Sequence, residues 1–192
     1  GFDALNSFTT EVLNQINNFS GYFKEIDFSD KGGVIVAFFG APVSYENNVE
    51  RALEFVLALQ DELLPLQINN GLQFKVGIAE GIAYAGVIGG VERSQYAAVG
   101  HRVNIAARLM MSANWGEVLV DEAVHKNRSY RFQHTGDISY KGLHNLIPTY
   151  RLTGRNQEQH RPFDGAMVGR EQELDKLEAF AIKAFEASEP AV

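Results

Sequence analysis

Hydrophobic spacing in this chain switches repeatedly between a helical and a strand period, and the order of the switches narrows the fold more than any other feature. Phe2, Leu5, Phe8, Thr9, Val12, Leu13 and Ile16 recur at three- and four-residue steps, which marks one face of an amphipathic helix over residues 3–18. Ser20-Gly21 breaks that pattern. Tyr22, Lys24, Ile26 and Phe28 then alternate as a strand, a polar turn follows at Ser29-Asp30-Lys31-Gly32-Gly33, and the β-branched and aromatic run Val34–Phe39 reads as a buried strand ended by Gly40-Ala41-Pro42. A second helix is expected from Glu46 to Leu64, with Val49, Ala52, Leu53, Val56, Leu57, Leu63 and Leu64 as its apolar stripe and Pro65 as its stop.

The second half repeats the alternation. Phe74, Val76 and Ile78 form a third strand, and Glu80-Gly81 turns it into a fourth, Ile82–Ile88, so that the pair reads as a hairpin with a glycine-rich end at Gly86–Gly90. Arg102–Met111 is helical by pattern, with Ala106, Ala107, Met110 and Met111 as candidates for burial. A strand at Glu117–Val120, a short helix at Glu122–Lys126 and short strands at Tyr130–Gln133, Ile138–Tyr140 and Thr149–Leu152 complete the series. The order α-β-β-α-β-β-α-β-α-β-β-β predicts an α+β fold, a ferredoxin-like sandwich with extensions. The character changes at Gly154. Residues 1–153 read as one domain, 154–166 as a polar linker, and 167–192 as the start of a further helical module.

Composition removes several function classes. Cysteine is absent from the 192 residues, which excludes disulfides, Cys-based zinc sites and a catalytic thiol. With 24 acidic against 17 basic side chains the net charge is −7, a poor match to nucleic acid or an anionic membrane surface, although a few local cations can still hold a small anion. Aromatic stacking signatures of nucleic-acid-binding ferredoxin-like domains are also missing. The longest apolar run, Val34–Phe39, is too short to span a bilayer, and no basic-then-apolar leader opens the sequence, so a cytoplasmic setting is expected. The chain begins already inside a helical pattern, which suggests that sequence precedes it. His101, His125, His134, His144 and His160 show no ligand spacing for zinc, and no serine lies in a Gly-x-Ser-x-Gly elbow. Trp115 reads as core or interface.

The richest stretch chemically is Tyr96 to Met110. On a helix, Asn104 and Arg108 stand four residues apart on one face. The amide offers a donor and an acceptor, and the guanidinium offers a fixed cationic fork for phosphate oxygens. Together they can orient a hydroxyl and neutralise phosphoryl charge. The bare spacing is also that of a solvated polar stripe.

The surrounding residues add a family. Gly81-Ile82-Ala83-Tyr84-Ala85-Gly86-Val87-Ile88-Gly89, Tyr96-x-x-Val99-Gly100 and Val103-Asn104-x-Ala106-Ala107-Arg108-Leu109 resemble the class III adenylate/guanylate cyclase catalytic domain. Phe39-Gly40-Ala41-Pro42, Glu50-Arg51-Ala52, Tyr140-Lys141-Gly142 and Thr149-Tyr150 continue the resemblance in the family's order. It implies a dimer with active sites at the interface, where the ribose 3′-hydroxyl of ATP attacks the α-phosphate and expels pyrophosphate. By the same resemblance Asn104 positions the sugar, Arg108 stabilises the five-coordinate phosphorus, Lys24 reads adenine, Ala97 stands where a second base-reading Asp or Thr is usual, and Lys141 is the nearest candidate for gripping the terminal phosphates. The family's first metal Asp belongs to an opening strand upstream of Gly1. The position of the second is altered here, and Asp30 is the one nearby carboxylate with any claim as a ligand. Mg or Mn is therefore expected to be held mainly by a partner domain.

The altered Asp30-Lys31-Gly32 turn is most similar to the second, metal-free catalytic domain of soluble-type adenylyl cyclases. Met167-Val168-Gly169-Arg170-Glu171-x-Glu173-Leu174 resembles the lead-in to an ATPase module of the AAA or NACHT kind, although no Gly-x-x-x-x-Gly-Lys-Ser/Thr loop is present. The resemblance thus implies a lyase half that is inactive alone and makes cyclic AMP when paired with a metal-binding half. Ala97 and the missing carboxylates support a second expectation, a catalytically degenerate cyclase-like domain with a regulatory or dimerisation role.

Overall fold

α1 (Phe2–Asn18) and α2 (Asn48–Asn70) lie against each other and cover one hydrophobic core. The computed structural model describes residues 2–29, 32–90, 92–139 and 146–156; Asp30, Lys141 and the linker and ATPase-like readings beyond residue 156 lie outside the described residues. α1 contributes Val12 and Ile16 to that core, α2 contributes Leu53, Val56, Leu59 and Leu63, and Leu53 and Leu63 are fully buried. Each such side chain stabilises the fold by about 1.5–3 kcal/mol.

Among the described residues eight strands form three sheets. β1 (Tyr22–Ser29) and β2 (Gly32–Phe38) make an antiparallel ribbon. β3 (Val76–Ile78), β6 (Val118–Val120), β7 (Tyr130–Ile138) and β8 (Ile147–Arg155) make a four-stranded sheet in the order β3-β6-β8-β7, with β3 and β6 parallel. β4 (Tyr84–Gly89) and β5 (Ser94–Val99) form a separate antiparallel hairpin. Ile35 and Ala37 of β2 and Val76 and Ile78 of β3 pack on the same core, yet no ladder joins the two strands among the described residues. α3 (His101–Ser112) follows β5 directly, and the single turn α4 (Glu122–His125) follows β6.

The α+β architecture and most element positions match the pattern read from the sequence. The differences have physical causes. Pro65 does not stop α2, which continues to Asn70: proline deletes its own i→i−4 bond but leaves the neighbouring bonds free to form. β3 does not pair with β4. It lies parallel to β6, and the partner of β4 is β5, whose Ser-Gln-Tyr-Ala-Ala-Val sequence has too little β-branched character to stand out. The Val34–Phe39 run is a half-covered ribbon strand, starting earlier at Gly32, with Val34 45% exposed; its residues report β propensity rather than burial on both faces. Strand β7 joins two segments expected to be separate, bending at register shifts near Arg131 and Gly136, and β8 runs through Gly154 to Arg155. In α3 the buried residues are Ile105 and Leu109, while Met111 is exposed, and Trp115 is 59% exposed rather than core.

Candidate active-site face

α3 is held on the sheet by contacts along its length. At its middle, β3 carries Gly77, and a Cβ there would stand 2.1 Å from the Ala106 carbonyl oxygen and 2.4 Å from the Met110 nitrogen. The helix backbone therefore lies directly on the strand, a contact only glycine permits. Ile105 and Leu109 fill a small second core with Ala113 and Leu119. At the C-terminal end, the Lys75 ammonium donates to the carbonyls of Met111 (3.2 Å) and Ala113 (2.9 Å), where a cation suits the helix dipole. The N-terminal end has no side-chain cap, since Gly100 occupies that position. There Arg102 donates to the carboxylate of Asp121 at 3.1 Å.

This seating settles where the polar pair points. With Ile105 and Leu109 turned to the sheet, Asn104 is exposed and Arg108 is half-buried, four residues on along the same face. Two hollows of about 240 Å³ indent the described surface, one lined by Glu46, Glu50 and Glu80 among others and one by Tyr22, Pro42 and Tyr45 among others, and neither includes Asn104, Arg108, Lys24 or Ala97.

Lys24 and Ala97 come from two other elements that touch each other. Tyr22 of β1 meets the edge of Tyr96 of β5, with ring centroids 5.1 Å apart. Lys24 is the extra residue of a bulge in β1, where the register passes from Phe23 opposite Ala37 to Glu25 opposite Val36. Its side chain is only 10% exposed and its ammonium pairs with Glu25. Ala97 is buried opposite Gly86, so its side chain offers no hydrogen-bonding group where a base-reading residue was expected. Lys141 and Asp30 fall outside the described residues. Among the described residues no three His, Asp or Glu side chains gather as metal ligands.

The hairpin beside α3 carries a strongly apolar outer surface. Ile82 is 92% exposed, Tyr84 84%, Val87 71% and Val99 57%. Tyr84 and Val99 stand opposite each other and share one face of the hairpin with Ile88, a cluster of large apolar side chains that a monomer rarely leaves in water, while Val87 opposes Tyr96 on the other face.

The family model for the adenylate and guanylate cyclase catalytic domain matches residues 3–154. The chain belongs to that family. Human adenylate cyclase type 10 is 25% identical over 177 residues, covering 85% of this chain and 11% of that protein. Adenylate cyclase 1 of Rhizobium meliloti is 29% identical over 161 residues, covering 75% of this chain and 24% of that protein. The cyclase domain therefore spans about a tenth of the first relative and a quarter of the second. Among solved structures, the adenylyl cyclase CyaB from P. aeruginosa aligns with a TM-score of 0.71 at 21% identity, covering 81% of this chain and 83% of that one. The guanylate cyclase domain of RhGC from Catenaria anguillulae, solved with GTP, aligns at 0.69 and 20%, covering 80% and 83%. These likenesses establish the class III cyclase fold. No helix among the described residues is long and apolar enough to cross a membrane.

Sequence reading missed Arg102 and Asp121 of the cyclase domain. A signal was available: an arginine in the first turn of a helix opposes the helix dipole, and an aspartate directly after Val-Leu-Val ends a buried strand. Each is unfavourable alone, and together they satisfy each other. Arg51, one of the residues carrying the family resemblance, has a structural role on view: it donates to the carbonyls of Phe19 and Ser20, both at 2.9 Å, which closes the end of α1.

Proposed function

We propose that this cyclase domain forms cyclic AMP from ATP as the base-recognition and transition-state half of a dimer-interface site. The carrying observation is the surface presentation of Asn104 and Arg108 on one face of α3, which follows a hairpin whose Tyr84 and Val99 leave an apolar face exposed. A site built this way is open until a second domain covers it. Asn104 orients the ribose so that its 3′-oxygen stands in line with the α-phosphorus. As the new P–O bond forms and the bond to pyrophosphate breaks, the Arg108 guanidinium balances charge on the equatorial oxygens. Lys24, presented by its bulge, donates to an acceptor nitrogen of adenine. The partner half supplies the carboxylates for Mg or Mn. Similarity to adenylate cyclase type 10 supports ATP as the substrate, and the resemblance carried by the Met167–Leu174 segment supports a downstream ATPase module.

Mixing the chain with a metal-binding cyclase half tests the reading. Turnover is expected only in the mixture, and Arg108→Ala lowers it by about two to three decades, as loss of a charge-stabilising donor does. Undiminished turnover in that variant refutes the assignment.

Ala97 favours a second reading, a degenerate domain that kept the fold and the pairing surface. Calorimetry with ATP and Mg²⁺, with and without the partner half, separates the two. Nucleotide binding that requires Lys24 and Arg108 supports the first, and pairing without any nucleotide binding supports the second.

A further inference from the structure

We propose that Asp121 and Arg102 are positioning residues that set the placement of α3, and through it of Asn104 and Arg108. The proposal rests on the reading of α3 as the transition-state helix. Asp121 stands immediately after β6, is 2% exposed, and gathers four segments at one carboxylate. One oxygen accepts from Arg102 at 3.1 Å and the other accepts from the Val124 backbone N–H at 3.1 Å, capping α4. Backbone N–H groups of Glu80 and Ala123 also donate to it, which brings in the turn after β3. Its own N–H donates to the Ile78 carbonyl at 3.2 Å. Burial of this carboxyl is the leading influence on its proton affinity and raises it, and the Arg102 charge acts the other way.

Arg102 reaches that hub by crossing the Glu80-Gly81 turn. A Cβ on Gly81 would meet Arg102 Nε at 2.6 Å and Cγ at 2.8 Å, so the guanidinium stem lies flat on the glycine. Within α3, Arg102 and Asn104 are two residues apart, about 200° around the axis at 100° per residue. The anchor therefore lies on roughly the opposite side of the helix from the catalytic amide. Pulling one side onto the sheet end fixes the angle at which the other is presented. No acidic residue lies in the first turn of α3 and no side chain caps it, so this pair supplies the tether that a cap supplies elsewhere.

In this reading Arg102 acts through α3, its guanidinium being held on Asp121. Removing it leaves Asp121 with three backbone donors, so the fold survives and the placement is what changes. In the enzyme reconstituted with a metal-binding half, Arg102→Met lowers kcat about 10-fold to 100-fold, while KM for ATP moves less than about threefold. Arg102→Lys, which keeps a single donor for the single contact, restores most of kcat. In the chain alone, amide exchange at residues 105–109 quickens about tenfold in Arg102→Met and returns to the parent rate in Arg102→Lys, with β7 unchanged. Asp121→Asn reproduces the Arg102→Met pattern. An unchanged kcat together with unchanged exchange in α3 overturns the proposal, and so does a lowered melting temperature with kcat intact. Arg108→Ala run in parallel separates the two ideas: if it has no effect, the transition-state reading of α3 fails, and the exchange result still decides whether the tether exists.

Discussion

Gly77→Ala tests the seating of α3 more sharply than any substitution in the helix itself. The added methyl would lie 2.1 Å from the Ala106 oxygen, 2.4 Å from the Met110 nitrogen and 3.0 Å from the Leu109 Cβ. Two of these are backbone atoms, so no rotamer change relieves them. Real Cβ atoms essentially never come closer than 3.0 Å, so α3 must retreat from β3 by at least about 0.9 Å. Overpacking of this kind costs about 1–3 kcal/mol. A domain of this size then melts about 2–10 °C lower. The catalytic cost is of similar size, because a displacement near 1 Å at the reacting groups lowers a rate by about 100-fold, or about 2.7 kcal/mol. Thermal melts of the chain and cyclic AMP formation with a metal-binding half measure the two effects. Gly86→Ala is the control for stability: nothing stands within 4 Å of its Cβ position, and the melting point stays within the change expected from about 0.5 kcal/mol. A Gly77→Ala chain that melts and turns over like the parent refutes the reasoning, because α3 would then not rest on the β3 backbone.

Two further outcomes follow from the surface and the titrating groups. Tyr84→Glu places a charge on the exposed apolar hairpin face; it leaves the melt of the isolated chain within about 0.5 kcal/mol of the parent and weakens pairing with a cyclase half at least about tenfold by sedimentation. Unchanged pairing removes the hairpin from the interface. Glu117 and Asp121 shape the acid limb of stability with opposite signs. The Asn114 backbone N–H foremost, with the Arg151 ion pair, holds Glu117 below its ordinary 4.5, so its contribution is complete above that value and is lost as pH falls through the lower folded one. Burial raises Asp121 above its ordinary 3.8, so its contribution declines as pH rises from 3.8 through the higher folded value. Urea midpoints from about pH 3 to 7 therefore lose part of their acid-side slope in Glu117→Gln and become steeper there in Asp121→Asn. The reverse ordering contradicts both causes.

The periodic parts of this fold were legible because one stripe decides them. Val12 and Ile16 of α1, and Leu53, Val56 and Leu63 of α2, are buried where the three- and four-residue spacing places them. Strand partnership was not legible. β3 and β4 follow each other in the chain with a Glu-Gly turn between them, which is the local signature of a hairpin, but β3 takes β6 from 40 residues away because α3 must lie on Gly77. The alanines of Ala97-Ala98 and Ala106-Ala107 gave no contrast between faces, so β5 was passed over and the wrong side of α3 was expected to be buried. Asn104 and Arg108 stand out in the sequence as a polar pair at helical spacing, but only the family resemblance gives them a role. Arg102 and Asp121 were not, because an ion pair between residues 19 apart has no period.

That contrast bears on how an acidic chain can hold a phosphorylated substrate. The net charge is −7, yet charge at the proposed site is set by a few fixed cations. Lys24 is drawn into a bulge beside Glu25, Arg102 is held on Asp121, and Lys75 is spent on the end of α3. These three basic side chains are each tied to a local acceptor, and for Lys24 that orders the side chain before any ligand arrives. The cost is that a bound carboxylate competes with the substrate for the same donor. At Lys24 the proposed adenine contact would have to displace or share the Glu25 contact. At Arg102 it is absent, because Asp121 is buried and the arginine never has to leave it. The sequence places both pairs on the same chain, but only burial distinguishes an acceptor that yields to substrate from one that holds the scaffold.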